Sequence, residues 1–388
     1  MAERPTKRYL MTPGPTPVPP EVLAAMAEPV IHHRSPDFRI IFERCLDRLR
    51  LVCRSERDPL LFTASGTAAM ESAVANLCAP DDRVLVVSAG YFGERWGQIA
   101  ATYGCQVETL AYEWGETPAA DDLGAKLEEL GGNVKAVLLT QSETSTGVVA
   151  DVQALAAAAS DSGALVVVDA VSSLGAVPLE TDAWGIDVAA SGSQKALMTP
   201  PGLALAAVSE RALEAASERP ARSYYFDWQR TLKAQAKFDS AFTPAVSLIL
   251  GLDVALGLLL DGGLEAAFDR HVRLGRACRE GIKALGLELF SPDEDRSAVV
   301  TAARMPSGLD SGELVLALRD RFGITIANGQ GVLKGKIFRI GHIGWFDVFD
   351  VTTALAAVEL ALADLGVDVE RGVAVTRALE AFGEPARV

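Results

Sequence analysis

Between residues 60 and 210 short apolar runs alternate with longer stretches of helical spacing, and most runs end in a cluster of small and hydroxyl-bearing residues. The runs cover 60–63, 83–87, 106–110, 135–140, 164–169, 187–191 and 203–208. In a segment such as ALVVVDA (164–170) both sets of alternating positions are apolar, as in a strand covered on both faces. Seven such runs with helices between most of them predict an α/β fold around a mostly parallel seven-stranded sheet. After about residue 245 the character changes. A long helix is expected over 246–260, continuing past Gly262 and Gly263 into 264–285. Short strands follow at 288–290, 299–303, 324–327 and 337–340, with helices at 311–322 and 348–365. That mixture predicts a smaller α+β C-terminal domain. The full chain of 388 residues exceeds what a single core comfortably fills. The expected division is an N-terminal arm (1–18), a large domain (19–260) and a small domain (261–388).

The charge balance narrows the partners. Lys and Arg number 36 against 51 Asp and Glu, a formal net charge of −15. Such a surface repels phosphate backbones and anionic lipid, so neither nucleic acid nor a membrane is expected as a partner. The N-terminus has no apolar h-region and the most apolar stretch, 246–260, is interrupted by Asp253, so a cytoplasmic protein is expected. Five cysteines without a CxxC and four histidines without HExxH spacing predict neither a disulfide framework nor a metal site.

Open parallel sheets bind ligands beyond the carboxyl ends of their strands, so the residues after each run carry the functional signal. After Phe62 comes Thr63-Ala64-Ser65-Gly66-Thr67, opening a helix. Ser65, Gly66 and Thr67 offer hydroxyls and backbone N–H groups at a helix N-terminus, a phosphate cradle as well as an ordinary cap. After Val87 the glycine-flanked pair Tyr91-Phe92 could lay a ring on a flat ligand. After Leu139 eight residues without an aliphatic side chain, 140–147, include Thr144. Asp169 closes a wholly apolar strand, where ionisation is costly unless a cation faces it. Gln194 and Lys195 follow the run that ends at Ser191.

A lysine in a tight polar pocket can form a Schiff base with an aldehyde, and a buried carboxylate can keep a pyridine nitrogen protonated. Those are the needs of pyridoxal 5′-phosphate. A buried Lys–Asp salt bridge in an unrelated α/β protein accounts for the same pair.

Taken in order, the motifs PGPTPVPPEV (13–22), HHRSPDF (32–38), SGTAAME (65–71), GYFGERW (90–96), ETSTGV (143–148), DAVSSLGA (169–176), SGSQKAL with PPGL (191–203), FTPAVSLI (242–249) and FRIGHIG (338–344) resemble the class V aminotransferases. Within these enzymes of pyridoxal-phosphate fold type I, the chain is similar to the alanine-glyoxylate and serine-pyruvate (serine-glyoxylate) group. The resemblance implies that Lys195 binds the cofactor covalently and moves protons, while Asp169 pairs with the ring nitrogen. It also implies that Phe92 stacks on the ring, Thr144 lies near the ring hydroxyl, and Ser65, Gly66, Thr67 and Gln194 hold the phosphate. Thr243 corresponds to a phosphate contact from a partner subunit, which makes the site a property of a homodimer. Arg339 resembles the residue that grips the substrate carboxylate, and Gly14 one whose backbone lines the substrate pocket.

The implied activity is transfer of the amino group of serine or alanine to glyoxylate or pyruvate, by a ping-pong route through pyridoxamine phosphate. Phosphonate and ureidoglycine transaminases share this framework and stay open as alternatives, as does a non-catalytic protein of the same fold. A cysteine desulfurase would need a mobile cysteine in the C-terminal half. The last one here, Cys278, falls in a helical stretch. A nucleotide-binding dehydrogenase would need GxGxxG after an early strand, which is missing.

Overall fold

The computed structural model describes residues 5, 7–220, 222–292 and 297–384. Its main sheet has seven strands in the spatial order Leu60–Phe62, Ala204–Val208, Val188–Gly192, Leu165–Asp169, Ala136–Thr140, Arg83–Ser88 and Gln106–Ala111. Ala204–Val208 is antiparallel to both its neighbours, and the other adjacent pairs are parallel. Each strand lies within a residue or two of its predicted span.

The double burial anticipated from the apolar runs is visible residue by residue. Val166 and Val168 enter one core with Leu85, Val87, Val137 and Leu139, while Leu165 and Val167 enter the opposite core with Val84, Val86, Ala136 and Leu138. A strand's period of two sends alternate side chains to opposite faces, so a segment apolar at every position needs a layer of helices on each side. The result for the site is positional. Parallel register sets Thr140 opposite Asp169 and Asp169 opposite Ala190, and the turns following these strands converge at one rim.

The remaining core surrounds a three-stranded antiparallel sheet of Val300–Arg304, Ile337–Gly341 and Ala327–Asn328. Leu274, Cys278, Phe338, Val358 and Ala378 pack together there, as does Met11 from the N-terminal segment. That segment ties the two layers together. Tyr9–Leu10 pairs in parallel with Ile324–Thr325, and the Gly341 N–H donates to the Met11 carbonyl at 2.8 Å. Further on, Thr16 donates through its N–H to the Gln194 carbonyl and through its hydroxyl to the Lys195 carbonyl.

Three expectations change. The helix predicted over 246–285 is two helices, Val246–Leu260 and Leu264–Ala284, bent by 81°. Gly262 and Gly263 lie between them with φ of +84° and +92°, a left-handed conformation that ends a helix. The strand expected over 324–327 is two short strands, because Ile324–Thr325 pairs with the arm while Ala327–Asn328 pairs with Ile337–Gly341. The strand at 288–290 is a single bridge between Leu289 and Ala303. Among the described residues no single helix is long and apolar enough to cross a membrane.

Candidate active site

At the carboxyl rim of the main sheet lies a cavity of about 270 Å³. Its walls include Gly14 and Pro15 from the N-terminal segment, the Ser65-Gly66-Thr67 turn, Phe92, Arg95, Ser142, Asp169, Ser172, Gln194 and Lys195. Eight of the eleven residues singled out from the sequence therefore share one cavity: Gly14, Ser65, Gly66, Thr67, Phe92, Asp169, Gln194 and Lys195. Thr144 is buried beside it, with its carbonyl accepting from Arg339 at 2.6 Å. Arg339 is buried on Ile337–Gly341 behind this contact. Thr243 is exposed and belongs to no wall of this cavity.

Asp169 ends its strand inside the protein, and burial raises its carboxyl from 3.8 to about 6, offset in part by the Val171 N–H and by Lys195. One Asp169 oxygen accepts from the Val171 N–H at 2.8 Å. Lys195 Nζ donates to the Pro13 carbonyl at 2.7 Å. Its amine is pushed down to about 8, first by burial, against the opposing attraction of Asp169. Both shifts show the expense of keeping isolated charges in a low-dielectric pocket. A cationic ring nitrogen against Asp169 would reverse the first.

The side of the cavity around Ser65-Gly66-Thr67 is built from close backbone approaches. The helix Gly66–Leu77 begins after Ser65, whose side chain makes no capping bond, so N–H groups of its first turn stay available for an anion. A Cβ on Gly66 would come within 2.7 Å of Val171, and one on Gly192 within 2.9 Å of Gln194 Oε1. Side chains at either position would fill the cradle. Ser142 Oγ and Gln194 Oε1 are buried without a partner, which is the mark of a site that receives polar atoms. Gln194 meets an anion once its amide is turned over, since the two ends of an amide are interchangeable assignments. Carboxylate, amine, ring platform and cradle together fit pyridoxal 5′-phosphate.

The platform owes its position to a residue given no role from the sequence. The helix Tyr91–Thr102 starts after Gly90, which has no side chain with which to cap it. Glu143, buried, replaces the cap from another element. Its Oε2 accepts from the N–H groups of Phe92 (2.8 Å) and Gly93 (3.0 Å). Its Oε1 accepts from the Ser145 N–H and hydroxyl, and Ser145 Oγ in turn accepts from the Tyr91 N–H. A Cβ on Gly90 would lie 2.5 Å from Glu143 Cγ. Burial raises the Glu143 carboxyl, opposed by these hydrogen bonds. Trp96, fully buried, donates its indole N–H to the Leu139 carbonyl, fixing the next turn of the helix against the sheet.

Arg339 uses four of its five N–H groups within the protein. Its Nε and Nη2 both donate to the Asn328 carbonyl, at 3.0 and 2.7 Å, and Nη1 reaches the Thr144 carbonyl and Gln330 Oε1. Burial lowers its pKa to about 10, still far above neutrality, so it stays a cation.

A mostly parallel sheet with lysine, carboxylate and anion cradle at its carboxyl rim defines the pyridoxal-phosphate enzymes of fold type I. The family model for class-V aminotransferases matches residues 8–342, and the chain belongs to that family: it is a pyridoxal-phosphate-dependent aminotransferase. It is 41% identical to the soluble hydrogenase 42 kDa subunit of Anabaena cylindrica, covering 93% of this chain and 94% of that one. With serine–glyoxylate aminotransferase of Methylorubrum extorquens it shares 35% identity over 97% of this chain and 96% of the relative. The crystal structure of ureidoglycine–glyoxylate aminotransferase from Bacillus subtilis superimposes with a TM-score of 0.92 at 33% identity, covering 97% and 98% of the two chains. The hydrogenase name belongs to the Anabaena protein; the family match is what assigns this chain.

Proposed function

We propose that the protein transfers the amino group of a small amino acid, serine or alanine, to glyoxylate or pyruvate. The observation that carries this reading is the convergence of Lys195 and Asp169 on one small cavity closed by Gly14 and Pro15. A cavity of about 270 Å³ that must also take the cofactor favours a short substrate side chain. Glyoxylate is common to the printed names of the Methylorubrum and Bacillus relatives, whereas their amino donors differ.

Pyridoxal phosphate, when bound, supplies an electron-accepting ring that stabilises negative charge at the substrate Cα. The residues do the rest. Asp169 keeps the ring nitrogen protonated. Lys195 Nζ, already lowered to about 8 by burial, would take the proton from Cα as a base and then, as an acid, give it up on the far side of the substrate nitrogen. Phe92 would cover the ring, Thr144 would lie on the side of its hydroxyl, and Ser65, Gly66, Thr67 and Gln194 would hold the phosphate. Arg339 grips the carboxylate shared by donor and acceptor, so both substrates use one site in turn and the kinetics are ping-pong.

Thr243, exposed here, would serve a second copy's phosphate, and a cytoplasmic homodimer is part of the reading. So is a division into an arm (1–18), a cofactor domain (19–260) and a C-terminal domain (261–388), supported by one core drawn almost wholly from before Gly262 and another mostly from after Gly263. Steady-state rates for serine, alanine, aspartate and ureidoglycine against glyoxylate and pyruvate test the proposal. Serine or alanine with glyoxylate should give the highest kcat/KM, with parallel double-reciprocal lines. A clear preference for ureidoglycine would replace it. In Lys195→Ala, the absorbance band of the lysine-bound cofactor and turnover should disappear together.

A further inference from the structure

Three charged side chains line the cavity: Asp169, Lys195 and Arg95. The proposed chemistry uses the first two and leaves the third without a task. Arg95 lies one helical turn beyond Phe92, on the same face. Its guanidinium sits 4.7 Å from the Phe92 ring centroid and 5.3 Å from that of Tyr91. From there Nη1 donates to Thr67 Oγ1 at 3.2 Å, so one side chain bridges the ring platform and the phosphate cradle. Arg95 makes no ion pair among the described residues. Its charge is nonetheless felt in the site, lowering both the Asp169 and Lys195 pKa values.

Charge accounting points to what such a cation is for. A phosphate monoester carries roughly −1.5 to −2 near neutral pH, while a helix N-terminus offers only about +0.5. The protein as a whole is at −15. Lys195 is committed to the aldehyde end of the cofactor and lies next to Asp169, so its charge cannot balance the phosphate. Among the described residues Arg95 is the remaining cation on the wall, and it touches a hydroxyl of the cradle.

We infer that Arg95 is the cation of the phosphate subsite, aimed by its stack on Phe92 and its bond to Thr67, and that it distinguishes the phosphorylated cofactor from its dephosphorylated form. The inference rests on the assignment of the Ser65-Gly66-Thr67 turn to phosphate.

The full-length apoprotein is titrated with pyridoxal 5′-phosphate and with pyridoxal, following visible absorbance, for the wild type, Arg95→Gln, Arg95→Lys and Thr67→Val. Far-ultraviolet circular dichroism checks that each is folded. Arg95→Gln should lose roughly ten- to a hundredfold in affinity for the phosphorylated ligand and change less than about threefold for pyridoxal. Arg95→Lys should recover most of the loss because it keeps the charge, and the difference between wild type and Arg95→Gln should shrink in high salt. Equal loss of both ligands in Arg95→Gln, or no loss of either, overturns the inference; the first would leave Arg95 as a support for Phe92 alone. If Arg95→Gln is unfolded, Arg95→Lys with unaltered selectivity upholds the charge role, and Arg95→Lys with equal loss of both ligands overturns it. If Thr67→Val and the wild type select equally for phosphate while Arg95→Gln does not, the bond to Thr67 has no part in aiming Arg95 and its charge alone carries the selectivity. A wild type that fails to prefer the phosphorylated ligand overturns both.

Discussion

Lys195 Nζ donates a 2.7 Å hydrogen bond to the carbonyl of Pro13, 182 residues earlier in the chain. The amine proposed to do the chemistry is thus held by backbone from the N-terminal segment, which is itself pinned to Gln194 and Lys195 through Thr16. Backbone is stiff, and a stiff acceptor limits where the amine can rest.

Gly14 is what allows this approach. Its φ is +146°, and a Cβ there would lie 2.4 Å from both Lys195 Nζ and Cε. Gly14→Ala should therefore push Lys195 off its acceptor and strain the segment, costing about 1 kcal/mol of stability from the backbone alone. The larger effect falls on function: displacing a reacting group by an ångström commonly lowers turnover about a hundredfold. Thermal melting and single-turnover rates measure the two separately, and a variant with normal turnover would show that Pro13 does not position the amine.

Asp169 sets stability against function. Its carboxyl rises from 3.8 to about 6 on folding, so its stabilising contribution is complete below pH 3.8 and is lost as pH rises through 6. Above that range the apoprotein holds an ionised carboxylate in a poor environment, at a cost of up to about 3 kcal/mol. Asp169→Asn keeps an acceptor for the Val171 N–H and removes the charge. The apoprotein of this variant should melt higher than wild type at pH 7.5, converge with it near pH 4, and bind pyridoxal phosphate more weakly. Equal melting temperatures at pH 7.5 would show that the carboxylate is better solvated than its burial implies.

Lys195, lowered to about 8, gives a second pH signature. Only the neutral amine attacks an aldehyde, so reconstitution of apoprotein with pyridoxal phosphate should accelerate with pH and level off above about 8 rather than near 10.5. Because Asp169 raises this pKa by attraction, Asp169→Asn should move the inflection lower. Stopped-flow absorbance across pH 6–10 reads both.

The Glu143 cap predicts a stability loss that reaches the cofactor. Glu143→Ala strips the partners from the N–H groups of Phe92, Gly93 and Ser145, and unsatisfied buried donors cost about 1–3 kcal/mol each before water enters. A net loss of about 2–4 kcal/mol in urea unfolding is expected. Glu143→Gln can serve only one of the two donor pairs and should fall between. Loosening Phe92 should weaken cofactor affinity in both variants, in the same order as stability.

The strands were legible because a doubly covered strand must be apolar at every position, a demand that few other structures make. The carboxyl rim was legible for the same reason: polar residues such as Asp169 stand out when everything before them is apolar. Glu143 was not, since the helix N–H groups it caps, those of Phe92 and Gly93, lie 51 and 50 residues away and a lone glutamate in a polar turn has no local signature. Pro13 acts through a carbonyl that every residue possesses. Arg95 did leave a trace, the three-residue spacing from Phe92 in GYFGERW, which on a helix puts ring and guanidinium on one face. The bend at 262–263 was written in its two glycines, yet apolar periodicity on both sides favoured a continuous helix.

Arg339 supplies the last prediction. Its Nε and Nη2 both meet the Asn328 carbonyl, while Nη1 meets the Thr144 carbonyl and Gln330 Oε1. The guanidinium is therefore oriented by backbone from two elements, one of them the turn that includes Glu143. A planar, permanently charged guanidinium with five N–H groups can keep these four contacts and still present one to a carboxylate; a lysine has three donors on a single atom and cannot do both. Arg339→Lys should accordingly behave much like Arg339→Ala. KM for amino donor and for 2-oxo acid should rise together, by roughly ten- to a hundredfold, as expected for loss of a charge-assisted contact of about 1.5–3 kcal/mol. The carboxylate is held equally before and during proton transfer, so kcat should change less than KM. Cofactor affinity should be nearly unchanged in both variants, which separates this role from those of Arg95 and Asp169. If Arg339→Lys retained wild-type KM values, single-point charge would suffice and the orienting contacts to Asn328 and Thr144 would have no part in substrate recognition.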